Sequence, residues 1–173
     1  MRYGIQTAVN EQTTLFVTEQ PSKLKRVSVP IYRVVLVKEG KLPAYESRIR
    51  SSANAFTVLQ EFMEGSDREV FVVMCLDRKN GLIGLNLVSV GSLSSSIVHP
   101  REVYKPAILS NASSVILSHN HPSGDPLPSQ EDRALTARLV QAGKVLGVEV
   151  LDHVIVGDGR YFSFADEGLL ERG

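Results

Sequence analysis

The stretch Val115-Ile116-Leu117-Ser118-His119-Asn120-His121-Pro122-Ser123-Gly124-Asp125-Pro126-Leu127-Pro128-Ser129-Gln130-Glu131-Asp132 decides how this chain is read. An apolar run enters it, and a helix-like segment from Asp132 to Gly143 leaves it. Between them lies the pattern H-x-H-x7-S-x2-D. Strand residues i and i+2 point to the same side, so His119 and His121 aim both imidazoles at one point. Asp132 falls in the first turn of the following helix, where the positive end of the dipole keeps a carboxylate ionised. Two neutral imidazoles and one carboxylate make a three-ligand zinc set with a fourth position open for water, the arrangement of a catalytic rather than a structural site. Ser129 and Asp132 also spell a capping box, with the serine at the N-cap and the acid at the third helical position. The two readings coexist, because these residues can cap a helix and still face a metal.

Working outward, Ser114 to Leu117 reads as the central strand that feeds the histidines, and Arg133 to Leu146 as the helix that follows. Upstream, Val70 to Leu76 is an unbroken apolar run that suits a strand buried on both faces. Asp77-Arg78-Lys79-Asn80-Gly81 is a turn, with Asn80-Gly81 as a hairpin signal, and Leu82 to Val90 is the return strand. Gly91 to Ser96 is a small-residue loop. Pro100 opens a helix over Arg101 to Ser110, with Val103, Ala107, Ile108 and Leu109 as its apolar positions. Ala53 to Met63 has helical spacing, with Phe56, Leu59, Phe62 and Met63 on one face, and Glu64-Gly65-Ser66-Asp67 ends it. Downstream, Glu149 to Val156 is a strand, and Gly157-Asp158-Gly159 turns into Tyr161 to Phe164.

Ahead of all this, Thr14 to Thr18 and Pro30 to Val37 are strand-like runs in an otherwise polar beginning. The expected organisation is a β-rich extension over residues 1–51 and an α/β domain over residues 52–173. The order αββαβαββ in that domain argues for a mixed central sheet with helices on its faces.

The 173 residues are enough for one domain to bury its own core. No stretch approaches the apolar length of a membrane span, and the start lacks a signal-peptide core, so a cytoplasmic location is expected. Cys75, the single cysteine, cannot pair within the chain and reads as a small buried hydrophobe. The formal net charge is zero, but residues 1–50 carry nine basic and four acidic side chains. That excess reads as a solvated basic face or as an arm that meets phosphates or an acidic partner.

Several chemistries are excluded by the absence of their motifs. There is no H-E-x-x-H pair, no cysteine pair for a nucleobase deaminase, no G-x-S-x-G elbow, no phosphate loop and no Rossmann fingerprint.

The H-x-H-x7-S-x2-D pattern is similar to the JAMM (MPN+) motif of metal-dependent hydrolases. Over about Ser52 to Leu170 the chain resembles the C-terminal domain of the RadC family. Glu69 to Val73, Leu76 to Asn80, Val90 to Leu93, His99 to Val103, His119 to Asp125 and Leu151 to Gly157 carry the likeness. The helical, DNA-binding-like N-terminal domain frequent in that family has no counterpart in the first fifty residues.

The resemblance implies a cytidine-deaminase-like JAMM/MPN fold with His119, His121 and Asp132 as metal ligands. It also implies Glu69, directly before Val70, as the general base, with Glu102 as the alternative, and Ser129 as donor to the oxyanion. Zinc is the expected metal, and manganese and iron also suit a His2Asp set. Such an ion lowers the pKa of its water to about 7 and polarises the oxygen under attack.

The activity this implies is hydrolysis of a peptide or isopeptide bond. One alternative is a metal-dependent DNase acting on phosphodiesters in repair or mobile-element processing. Another is a non-catalytic, metal-containing binding module. Among the neighbouring residues, Asn120 should point away from the ligands and Asp125 should serve the loop turn. His153 reads as a hydrogen-bonded core histidine rather than a ligand, and His99 as a loop residue. Three prolines stiffen the loop from Pro122 to Pro128.

Overall fold

In a computed structural model that describes residues 28–43, 47–91 and 98–170, the apolar run Val70–Leu76 forms strand β1, buried along its whole length. Its partners are β2 (Leu82–Val90) on one side and β3 (Ser114–Asn120) on the other, both antiparallel to it. The strand β4 (Glu149–Val156) runs parallel to β3, and β5 (Tyr161–Ser163) closes the far edge antiparallel to β4. The sheet order is therefore β2-β1-β3-β4-β5, with the histidine-bearing strand at its centre. This is the mixed sheet expected from the order of elements.

Among the described residues, three helices cover the two faces. They are α1 (Ser52–Met63), α2 (Pro100–Leu109) and α3 (Gln130–Leu146). The pleat of β1 sorts its side chains by parity. Phe71, Val73 and Cys75 pack with Val115 and Leu117 of β3 against Val103, Tyr104 and Ala107 of α2 and Leu135 and Leu139 of α3. Val70, Val72, Met74 and Leu76 pack with Ile116 and Val154 against Ala55, Val58, Leu59 and Met63 of α1. The central strands are covered on both sides, which is why β1 reads as a continuous apolar run rather than an alternating one.

Local chemistry sets the element ends. In the β1–β2 turn, Asp77 Oδ1 accepts from the backbone N–H groups of Lys79 and Gly81 at 2.7 and 2.8 Å, and Asn80 takes φ 58°. An asparagine tolerates that left-handed position where most residues would be strained. Ser51 caps α1, and Gly147, at φ 69°, ends α3. His99, expected only as a loop residue, is the N-cap of α2, and its Nδ1 accepts from Arg101 N.

Pro30 to Val37 does not form the expected strand. The chain divides into the units Met1–Val34 and Val35–Gly173, and residues 28–43 hold neither helix nor strand. Ile31 is 98% exposed, and Val34 and Val37 also face solvent. β-branched composition favours a strand only where a pleated, half-buried surface receives it, and among the described residues these side chains pair with none. The run Thr14 to Thr18 and nearly all of the Gly91–Ser96 loop lie outside the described residues.

Gly143 lets α2 and the residue before β4 approach α3 closely. A Cβ there would lie 2.5 Å from both the Tyr104 hydroxyl and the Val148 carbonyl oxygen. Tyr104, wholly buried, donates to Leu139 O at 2.7 Å and so holds α2 against α3. Gly143→Ala is expected to lower stability by about 1–3 kcal/mol through overpacking. Urea denaturation checks this, and an unchanged midpoint would show that α2 can shift without cost.

Candidate metal centre

The pleat of β3 directs His119 into the layer between the sheet and α3, where it is fully buried. His121 follows the end of β3. Its backbone N–H donates to Val156 O at 2.9 Å, continuing the parallel ladder by one step. Asp132 comes from the first turn of α3. Its Oδ1 lies 3.2 Å from His119 Nε2 and its Oδ2 3.6 Å from His121 Nε2, and the two imidazole Nε2 atoms are 3.0 Å apart. The three donor atoms all lie within 4.8 Å of one another. His119 and Asp132 form the buried wall of the centre, and His121 sits at its accessible end.

The donor chemistry fits a metal ion. His121 Nδ1 lies 2.7 Å from the Asp125 carbonyl oxygen, which can only accept, so Nδ1 carries the proton. In the neutral ring that leaves Nε2 bare and turned toward His119 and Asp132. Two facing imidazole nitrogens beside a carboxylate need positive charge among them. Burial pushes the His119 pKa down and so favours its neutral form. Burial pushes Asp132 up, but hydrogen bonds with His119 and His121 outweigh it and hold the carboxyl well below the usual range. The bond to Asp132 raises His121, so a metal must displace a proton there. His119, His121 and Asp132 can together hold a metal ion.

The other expected residues fall as follows. Glu69 immediately precedes β1. The side chain of Asn120 points away from the ligands, as expected, and finds a task there. Its Oδ1 accepts from Val70 N at 2.8 Å and its Nδ2 donates to Arg68 O at 3.2 Å, so it clasps the backbone on either side of Glu69. Glu102 is an exposed first-turn residue of α2, engaged by Lys105 and Arg101.

Ser129 caps α3 in a complete capping box. Its Oγ donates to Asp132 Oδ2 at 2.6 Å and accepts from Asp132 N at 3.1 Å. The hydroxyl proton is thus directed at the Asp132 carboxylate. Asp125 makes the loop turn and, through its backbone carbonyl, orients His121. That second role leaves no trace in residue type, since every residue has a carbonyl. His153 lies against His119 rather than among the ligands, with His119 Nδ1 2.9 Å from His153 Nε2.

An open groove of about 670 Å³ lies on the α1 side of the sheet, and of His119, His121 and Asp132 only His121 lines it. The end of α1, the loop from His121 to Gly124 and the turn from Val156 to Gly159 form its walls. A Cβ on Gly157 would meet Gly124 O at 2.5 Å, so glycine allows the last two walls to touch. The charged residues of its lining are Glu61, Glu64 and Asp158, with no lysine or arginine among them. Among the described residues, no helix is long and apolar enough to cross a membrane.

A family model described as a RadC-like JAB domain matches residues 49–169. A UPF0758 protein of Methanosarcina barkeri is 48% identical over 123 residues, covering 71% of this chain and 54% of its own length. A UPF0758 protein of Moorella thermoacetica is 52% identical over 122 residues, with coverages of 70% and 53%. One of Syntrophomonas wolfei is 57% identical over 110 residues, with coverages of 64% and 47%. The chain spans about half the length of the curated relatives it matches.

Proposed function

The chain belongs to the RadC-like JAB family, a branch of a metal-dependent hydrolase superfamily, and on that premise we propose that it is a zinc-dependent hydrolase of peptide or isopeptide bonds. The observation that carries this reading is the convergence of His119 Nε2, His121 Nε2 and Asp132 on one point. A bound divalent ion supplies Lewis acidity to water and to the carbonyl under attack. The chain's own residues do the rest. Glu69 takes a proton from the attacking water and passes it to the departing amine nitrogen, the shuttle that amide hydrolysis requires. Asn120 fixes the backbone from which Glu69 projects. Ser129 turns its hydroxyl from Asp132 to the developing oxyanion.

The test is incubation of the purified protein with model peptides, isopeptide-linked peptides and labelled DNA, with and without chelator. Peptide-bond cleavage that the chelator abolishes is the expected result. Chelator-sensitive DNA cleavage with intact peptides would replace this reading with a nuclease.

A further inference from the structure

Two buried side chains that take no part in the proposed chemistry stand behind His119. Thr136 lies one turn along α3 from Asp132. Its Oγ1 is 2.6 Å from the Asp132 backbone carbonyl oxygen and 2.6 Å from His153 Nδ1. His153 Nε2 is in turn 2.9 Å from His119 Nδ1. His119 and His153 are 0% exposed and Thr136 is 2% exposed, so these groups must satisfy one another. Phe164 stacks on the His153 ring and Phe71 meets it edge-on, which holds its plane.

The protons along this row can be ordered. Two oxygens 2.6 Å apart need a proton between them, and of the pair only the threonine hydroxyl carries one. Thr136 therefore donates to Asp132 O and offers its oxygen to His153 as an acceptor. His153 Nδ1 must then hold the ring proton, which leaves its Nε2 bare. That bare nitrogen accepts from His119 Nδ1–H. His119 Nε2 is left with a free lone pair directed at His121 and Asp132.

Resting on the metal-centre reading above, we propose that Thr136 and His153 are positioning residues that lock the tautomer of His119 and so present its Nε2 lone pair to the metal. The row starts at the backbone of Asp132 and ends at the donor atom facing the Asp132 carboxylate. One residue of α3 thus serves as a ligand and also anchors the device that orients another ligand on β3. The Asp125 carbonyl does the same for His121 from the loop side.

Thr136→Val removes the hydroxyl with little change of shape. His153 Nδ1–H then has no acceptor, and the ring gains by moving its proton to Nε2. That move forces His119 to give up Nδ1–H and to protonate the nitrogen that should meet the metal. Long-range ¹H–¹⁵N spectra of the metal-free protein read this directly, at a pH about two units above the ordinary imidazole value near 6.5. In the wild type, His119 and His153 are expected to show a protonated Nδ1 and a bare Nε2, and in Thr136→Val the reverse.

Zn²⁺ affinity, measured by competition with a chromophoric chelator, is expected to fall about 10–100-fold in Thr136→Val. Thr136→Ser should restore both readouts. His153→Gln keeps an acceptor and a donor in the same order and should hold Zn²⁺ far better than His153→Leu. A bare Nδ1 on His119 in the wild type overturns the proposal, and that measurement needs no variant to fold. Wild-type tautomers and wild-type Zn²⁺ affinity in Thr136→Val also overturn it. A wild-type protein that shows the stated tautomers but takes up no Zn²⁺ overturns the metal-centre reading instead.

Discussion

His119→Ala is expected to empty the metal centre and to reduce hydrolysis to background. The wild type should carry about one divalent ion per chain, zinc before manganese or iron, because a His2Asp set with an open position suits that ion. Removing His119 deletes the most buried donor and leaves Asp132 and the half-buried His121, too few for a tight site. It also leaves the Nε2 of His153 without its donor, so the variant should lose stability as well. Circular dichroism must therefore show a folded protein before its metal content is read. His121→Ala is the companion variant, because its side chain, 15% exposed, stands at the open end and supports less of the core. A metal bound only by the folded state stabilises it, so chelation should lower the thermal midpoint of the wild type and leave that of His119→Ala unmoved. Full metal content in both folded variants would sink the assignment of His119, His121 and Asp132 as ligands.

Much of the frame was legible because it rests on periodicity and on residue types with narrow uses. The span Val70–Leu76 is apolar without a break because both faces of β1 are covered, and its limits are those of the observed strand. Pro100 and Ser129 mark helix starts, the proline through its fixed φ and the serine through its side-chain oxygen. His119 and His121 are readable as a pair because the pleat repeats every two residues.

What escaped the sequence lies in contacts between distant positions, or in groups that every residue has. The clasp of Asn120 on the backbone around Glu69 joins residues some fifty positions apart. Thr136 looks like any polar helix residue until β4 brings His153 against it. The carbonyl of Asp125 is not a property of aspartate at all. Pro30 to Val37 failed in the opposite direction. Its composition suits a strand, but composition does not supply the neighbour a strand needs.

Glu69→Gln is expected to keep the metal and to lower turnover by roughly 10²–10⁴-fold, the usual contribution of a positioned acid–base group. Glu69 stands outside the ligand cluster, so neutralising it should not empty the site. Its place directly before β1, whose Phe71 pairs with His119, sets it on the strand beside the candidate site. Glutamine keeps the shape and the backbone contacts but cannot accept the proton. The loss should therefore fall on kcat more than on KM. Glu102→Gln is the control. Its carboxylate is already engaged by Lys105 and Arg101 on the surface of α2, and its activity should match the wild type. Ser129→Ala should slow turnover less than Glu69→Gln. It should also cost about 1 kcal/mol of stability, because the same hydroxyl caps α3. Activity surviving in Glu69→Gln but lost in Glu102→Gln would move the base to α2. Activity surviving in both would mean that neither carboxylate carries the proton, and the proposed water activation would be wrong for this chain.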